Sequence, residues 1–369
     1  MTDIFFQLLS VALDKQEALS RTVTETEWAE LLEMSLKQTL AGVMFVGIER
    51  LPSEQRPPKE ILLRWYAFAE NIKERNTYLN KECANITWYF SQKGMYSCIL
   101  KGQGNALHYP KPELRMPGDI DIWLWPKDLE EKRGTLNKRR EKIVALIRKD
   151  GEPEHIVYHH VDYKNSRDTE VEVHFTPTWL HNPFKNDLLQ RFIEDESYTS
   201  FNNSREMGGG ECFVPTWELN VVTQMIHMQH HLFQEGIGLR QILDFYYLLH
   251  VQRGVWADNR HITIMKRLGL MKLASGIMWI LQECLDMDNS YLLTKPDKKL
   301  GMFILKEIFC GGNFGKYHKD YTLSNIFVIR VYQRIQRSWK FFKINPQEAI
   351  FIPWFKAWHF FKRIQWKNI

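Results

Sequence analysis

The sequence has few cysteines and no long apolar run, and these absences exclude several classes of protein. The 369-residue chain contains five cysteines, widely spaced and without a Cys-x-x-Cys pair. Neither a zinc–cysteine cluster nor a disulfide framework is therefore indicated. The longest strongly apolar stretch, 273–281, is interrupted by Ser275 and Gly276. It is much shorter than the roughly 20 residues of a membrane-spanning helix, so we expect no membrane span.

The N-terminus also lacks the pattern of a secretory signal. An acidic residue stands at position 3, and no basic segment precedes the first apolar residues. A hydrophobic share of 44% and a charged share of 25% are typical of a folded globular protein. We therefore expect a cytoplasmic protein in a reducing compartment, with two or three structural units.

Positive charge is concentrated at the C-terminal end of the chain. The net charge is +5, but residues 330–369 contain nine basic residues and one acidic residue, which gives that segment +8 and the rest −3. Aromatic residues alternate with the basic ones, a pattern that could follow a nucleic-acid backbone or lie on an acidic surface. Their helical spacing favours packing against the protein instead, so nucleic acid is an open partner.

Helical periodicity dominates both ends of the sequence, and strand patterns are confined to the middle. Apolar residues recur at spacings of three and four from 61 to 90, with Gly94 as the expected stop, and again from 215 almost to the end. Strand patterns occur at 96–100, 119–124, 155–163, 169–175 and 211–214.

This distribution predicts an α+β fold, in which a small mixed β-sheet core is flanked by helical regions. We divide the chain into an N-terminal helical region (1–92), a core (93–215) and a C-terminal helical domain with a basic aromatic tail (216–369).

The segment DIDIWL carries two carboxylates in a strand pattern. Asp119 and Asp121 share one face of the strand, while Ile120, Ile122 and Leu124 share the other, as in a half-buried strand. The carboxylates would lie about 6–7 Å apart, judged from the strand rise. They repel each other unless a cation lies between them. Mg²⁺ fits, because it prefers hard oxygen ligands and tolerates bound phosphates.

A later segment, TEVEVHF, repeats this alternation. Its valines point one way, while Glu172 and His174 point the other. If this strand lies beside DIDIWL, Glu172 joins Asp119 and Asp121 as a third metal ligand. Three carboxylates can hold two Mg²⁺ or Mn²⁺ ions about 3.5–4 Å apart. One ion would activate an attacking acceptor oxygen, and the other would steady a leaving pyrophosphate.

A glycine-containing segment, KGQGN, lies between the first strand pattern and DIDIWL. Gly102 and Gly104 are expected to form a turn in which backbone N–H groups approach phosphate oxygens. The segment is neither a Walker A loop nor a GxGxxG motif, so its order in the chain matters more than its composition.

Several of these residues together carry a family resemblance. They are Lys101-Gly102, Tyr109-Pro110, Arg115, Asp119-Ile120-Asp121, Glu172-Val173-His174-Phe175 and, in LRQILDF, Arg240 and Asp244. From about residue 25 to about residue 250, the chain resembles the bacterial family of uncharacterised nucleotidyltransferases, in the nucleotidyltransferase-fold superfamily of the DNA polymerase beta type.

The resemblance implies a palm-like nucleotidyltransferase core that uses an NTP as co-substrate. The acceptor is open, since small molecules, proteins and RNA ends are all used in the superfamily. Glu172 stands where this family more often has Asp, and the long run to Asp119 leaves either Gly102 or Gly104 as the phosphate glycine.

Three polar residues near the motif have two interpretations each. Arg115 could clamp the triphosphate or pair with a carboxylate. Lys101 could contact the nucleotide but is favoured as structural, and His174 could touch the nucleotide but is slightly favoured as a hydrogen-bonded framework residue. On the downstream helix, Arg240 and Asp244 have ion-pair spacing.

The spacing of His227, His230 and His231 could bind zinc, but the HExxH glutamate is missing and no cysteine is near, so a zinc site is not favoured.

Two other functions compete with nucleotidyl transfer. A glycosyltransferase can use a DxD motif to bind a metal and a nucleotide sugar, but it predicts several βα units ahead of that motif. A non-catalytic nucleotidyltransferase-like module, such as an antitoxin or a scaffold, would not need the intact Asp119, Asp121 and Glu172.

Overall fold

The fold was analysed in a computed structural model, which describes residues 1–129, 136–151, 153, 155–164, 169–251, 259–312 and 327–366. It has a mixed α+β architecture with a small sheet among many helices, as the sequence predicts. The helices are α1 Thr2–Ala12, α2 Glu25–Lys37, α3 Ala41–Arg50, α4 Lys59–Gln92, α5 Lys101–Ala106, α6 Leu136–Asp150, α7 Pro183–Phe201, α8 Trp217–Gln234, α9 Leu239–Val251, α10 Arg260–Leu268, α11 Met271–Leu285, α12 Lys298–Gly311, α13 Phe327–Lys340 and α14 Pro346–Trp366.

A four-stranded sheet lies in the middle of the chain. Its order is β1-β2-β4-β3, with β2 and β4 parallel and the outer pairs antiparallel. A separate hairpin pairs β5 with β6. The strands are β1 Met95–Leu100, β2 Ile120–Pro126, β3 His160–Lys164, β4 Glu170–His174, β5 Ser204–Met207 and β6 Gly210–Phe213.

The β2 strand is buried along its whole length, which corrects the prediction of a half-buried strand. Ile120, Ile122 and Leu124 do face a core with α4 and α6, as alternation requires. The opposite face is also covered, because Trp123 packs on Phe201 of α7, with ring centroids 4.5 Å apart. The carboxylate of Asp121 is therefore held in a largely buried position, with 5% of the residue exposed.

The helices before and after the sheet share a hydrophobic core. Buried side chains of α1, α2 and α3 belong to the same cluster as those of α8, α9 and α11. The division at residues 92 and 215 stays a prediction, but the cluster shows that the two helical regions pack together. They therefore form a common support for one face of the sheet.

Several local predictions were wrong or incomplete. The segment with Gly102 and Gly104 is the short helix α5 rather than a turn, although Gly102 has non-helical angles (φ 18°, ψ −108°). Helix α7 and strand β5 were not predicted. The missed signal for α7 is Asn182, which caps the helix, followed by Pro183.

The expected stop at Gly94 is confirmed, because α4 ends at Gln92 and Gly94 has φ 73°. The KNSRD loop between β3 and β4 lies largely outside the described residues.

No single helix in the described part of the chain is long and apolar enough to cross a membrane. Helices α10 and α11 pass the same test of length and composition when they are taken together, but the chain bends by 119° between them.

The C-terminal arm agrees only in part with the favoured packing interpretation, because Phe341 and Trp366 are buried but other aromatic side chains are exposed. Trp354, Phe360 and Phe361 on α14 are 74%, 50% and 67% exposed, while Ile352 and Glu348 on the same helix are buried.

Candidate active site

The sheet brings Asp121 and Glu172 side by side. They are register partners on the parallel strands β2 and β4, and both occupy the face that alternation predicted. Ligand atoms of Asp121, Glu172 and His174 lie within 4.8 Å of one another. We call Asp119, Asp121 and Glu172 the acidic cluster.

Asp119 immediately precedes β2, and it lines a cavity together with Asp121 and Glu172. Its side chain is exposed, but partial desolvation, followed by repulsion from Asp121 and Glu172, raises the pKa of Asp119 to about 6. No salt bridge to Asp119 occurs among the residues that the structure describes. The charge of Lys101 offsets only part of this effect, so the carboxylate is not fully neutralised by its neighbours.

Lys101 and His174 both contact Asp121. Lys101 Nζ lies 3.0 Å from Asp121 Oδ1, and His174 Nε2 donates to the same oxygen at 2.8 Å. Burial alone would raise the pKa of Asp121, but these two neighbours lower it well below its usual range. Burial would lower the pKa of His174, whereas its bonds to Asp121 and Glu172 raise it overall. Lys101 and His174 therefore keep Asp121 ionised.

A histidine that sequence analysis missed completes this group. His160 Nδ1 lies 3.1 Å from Glu172 Oε2, because β3 and β4 pair with His160 opposite His174. The adjacent His159 stacks on Trp179, with ring centroids 3.8 Å apart. The predicted hairpin contained the signal for His160, since the pairing of its two strands places His160 opposite His174.

The acidic cluster opens into a cavity of about 350 Å³. One wall comes from the sheet and α5, and the other from α8 and α9. The residues that line it include Lys101, Gly102, Arg115, His227, His230 and Arg240. A cavity of this size, with a few convergent charged groups, is typical of a small-molecule site.

The two glycines of α5 lie in different surroundings. Gly102 lines the cavity, and a Cβ there would lie 3.2 Å from the Asp119 carbonyl oxygen. Gly104 is buried, and a Cβ there would lie 2.9 Å from the Ile99 carbonyl oxygen. Of the two candidates for the phosphate glycine, Gly102 is therefore the one whose backbone can approach a ligand. Gly104 instead allows α5 to pack closely on β1. Lys101, just before them, has the rare positive φ of 38°.

Arg115 pairs with a carboxylate, one of the two roles considered from sequence. Its Nε and Nη2 donate to the two oxygens of Asp244 at 2.7 and 2.8 Å, and Tyr109 Oη donates to Oδ1 at 2.6 Å. All three residues are buried. Asp244 therefore pairs with Arg115, while Arg240 donates to the carbonyl oxygen of Met116 at 2.9 Å. Among the described residues no direct Arg240–Asp244 salt bridge occurs, so the prediction of an ion pair was wrong, although the charge of Arg240 helps to lower the pKa of Asp244.

The three histidines of α8 do not converge on one point. His231 faces Glu235 on its own helix, with Nδ1 3.3 Å from Oε2, and its ring contacts His227. His230 instead faces residues outside the helix, His181 and Glu348. The i, i+3, i+4 spacing therefore does not gather a shared metal site on this helix.

Most of the chain matches a known protein family. Residues 24–286, most of the chain, match the model of a family described as uncharacterised nucleotidyltransferase. The chain belongs to this family. The matched region contains every member of the acidic cluster, together with Lys101, Arg115 and His174.

Other comparisons add little to the nucleotidyltransferase assignment. One solved structure, an antigenic nucleotidyltransferase-like protein from Paracoccidioides brasiliensis, is 12% identical. The alignment covers 63% of this chain and 97% of that one, at a TM-score of 0.34, a level that supports no further conclusion. No curated protein matches the chain.

Proposed function

We propose that this nucleotidyltransferase-family protein is a metal-dependent enzyme that transfers a nucleoside monophosphate from an NTP to an acceptor, with release of pyrophosphate. The observation that carries the proposal is the pairing of Asp121 with Glu172 on adjacent parallel strands, beside Asp119, at the wall of a cavity.

The residues present fit divalent cations. Three carboxylates converge, and their mutual repulsion contributes to the raised pKa of Asp119. Hard oxygen donors of this kind suit Mg²⁺ or Mn²⁺. We therefore propose Asp119, Asp121 and Glu172 as ligands of two ions, which would neutralise triphosphate charge and lower the pKa of an acceptor hydroxyl.

Other residues of the cavity have supporting roles in this proposal. Lys101 and His174 hold Asp121 in its ionised form and fixed orientation through bonds of 3.0 and 2.8 Å. Gly102 leaves room for a phosphate group beside Asp119. Arg115 is a positioning residue, because Asp244 occupies two of its guanidinium donors and fixes the segment that leads to β2.

The cavity does not identify the acceptor, which we propose to be a small molecule, a protein or an RNA end. A cytoplasmic location is part of the same proposal, since NTPs are abundant there. The exposed aromatic side chains of α14 keep nucleic acid among the candidate acceptors.

The competing glycosyltransferase function predicts repeated βα units ahead of the DxD motif. In the described residues only β1 and the short α5 form such a unit before β2, after four helices. A non-catalytic module remains the relevant alternative, because family membership alone does not establish catalysis.

The proposal is tested by incubating the full chain with each α-labelled NTP, Mg²⁺ or Mn²⁺, and cell extract. We expect label transfer to an acceptor with release of pyrophosphate, and loss of both in Asp121→Asn. Asp128→Asn is the matched control, because Asp128 is exposed and, among the described residues, pairs with Lys142 at the surface.

Binding of a nucleotide sugar without NTP turnover would favour the glycosyltransferase. Metal–NTP binding without transfer to any acceptor in the extract would favour the non-catalytic module.

A further inference from the structure

A second group of metal-binding side chains lies outside the acidic cluster. His181 precedes α7, His230 lies on α8, and Glu348 lies in the first turn of α14. One ligand atom of each lies within 4.8 Å of the other two, and all three residues are buried, at 5%, 7% and 2% exposure. We propose that these residues, which we call the helix-junction cluster, bind a zinc ion.

The carboxylate of Glu348 is held in place by groups around the start of α7. Its Oε1 accepts the backbone N–H of His181 at 2.6 Å and lies 2.7 Å from His181 Nδ1. Its Oε2 accepts the backbone N–H of Asn182 at 3.2 Å. Metal-binding carboxylates are commonly oriented by such additional hydrogen bonds, so the orientation of this ligand is already fixed.

His230 supplies an independent indication of a ligand. Its Nε2 is buried and has no hydrogen-bond partner among the described residues. A buried polar atom without a partner is costly, and a neutral imidazole nitrogen is a common metal ligand.

The donor set indicates zinc rather than magnesium. Two imidazole nitrogens and one carboxylate oxygen are ligands that Zn²⁺ prefers, whereas Mg²⁺ prefers oxygen alone. Three protein ligands leave a fourth position for water or another group. Binding would release any proton carried by a ligating nitrogen.

The cluster lies where separate segments of the chain meet. His230 lines the cavity of the acidic cluster, and His181 lines a second cavity of about 570 Å³, bounded by Trp354 and Trp358 of α14. An ion bound here would join α14 and the segment before α7 to the helix that forms the far wall of the active-site cavity.

The first test is the metal content of the purified full-length chain, produced with zinc and dialysed without a chelator. We expect about one zinc ion per chain, and after exchange, Co²⁺ absorption bands of a four-coordinate site. His230→Gln should weaken zinc binding at least about 100-fold, because it removes a direct ligand. His227→Gln, one turn earlier on α8, is the matched control and should retain the ion.

Two other groups could hold zinc, and variants separate them. Asp121→Asn would remove an ion bound to the acidic cluster, and His160→Gln would remove one bound to His159, His160 and His174, which also lie close together. Both variants should keep the ion. Loss of zinc in either one, with retention in His230→Gln, would overturn the proposal, as would a wild-type chain without zinc or cobalt binding.

Folding of the variants is checked by circular dichroism, and Glu348→Gln provides a second ligand variant of unchanged shape. If both ligand variants unfold, X-ray absorption of the zinc-loaded wild type identifies the ligands of the ion instead. Two imidazole ligands and at least one oxygen ligand are expected. One imidazole, as Asp121, Glu172 and His174 would give, or three, as His159, His160 and His174 would give, would contradict the proposal.

Discussion

The acidic cluster contains only carboxylates, whereas the helix-junction cluster combines two histidines with one carboxylate. The first has three carboxylates on or beside two adjacent strands, and it faces a cavity. The second has two histidines and one carboxylate, contributed by segments as far apart as residues 181 and 348, and it is buried between helices. Under the two proposals, the difference in donor type and position would separate a magnesium site from a zinc site in one chain.

The largest expected effect concerns the third member of the acidic cluster. Glu172→Gln should lower the rate of nucleotidyl transfer by about 1000-fold or more, since loss of a metal ligand removes several kcal/mol of charge stabilisation. Glu170→Gln, two residues earlier on the same strand, is the matched control, because Glu170 is exposed and outside the cluster. Equal rates for the two variants in the labelled-NTP assay would contradict the assignment of Glu172.

The next effect is on stability, at the buried ion pair beside the cavity. Arg115→Ala should lower the free energy of unfolding by about 3–5 kcal/mol, because it leaves Asp244 charged, buried and without its main partner. Arg191→Ala, which breaks the exposed pair with Asp187, should cost only about 0–1 kcal/mol. Urea unfolding of both variants measures the difference, and similar losses would show that the buried pair is not a structural anchor.

A smaller effect should appear in the pH dependence of stability. Burial would raise the pKa of Asp244, but Arg115 outweighs this and lowers it below the unfolded value. A lowered folded pKa stabilises the protein above the unfolded pKa of about 3.9, and this contribution is lost as the pH falls through the folded value. Asp244→Asn should therefore lose less stability than the wild type between about pH 5 and pH 2. Parallel pH curves would contradict this interpretation.

Much of the acidic cluster could be predicted from sequence, because the alternation of a strand is a local property. DIDIWL and TEVEVH assigned Asp121 and Glu172 to one face before their strands were known to pair. The full burial of β2 could not be predicted, since it depends on Phe201 of α7, a helix that the sequence analysis missed.

Contacts between distant segments were also beyond sequence reasoning. The helical spacing of Arg240 and Asp244 suggested an ion pair, but Arg115 competes successfully for Asp244 from 129 positions away. The spacing of the α8 histidines likewise suggested a site on one helix, whereas His230 meets Glu348 of α14. Spacing shows which residues share a helix face but not what packs against that face.

The central claim is that the acidic cluster binds metal ions together with a nucleotide. The most direct test is a Mn²⁺ titration of the zinc-supplied full chain by electron paramagnetic resonance, with a non-hydrolysable NTP analogue present. We predict about two bound Mn²⁺ ions per chain in the wild type and a marked loss of this binding in Asp121→Asn. The same number and affinity in both proteins would contradict the account.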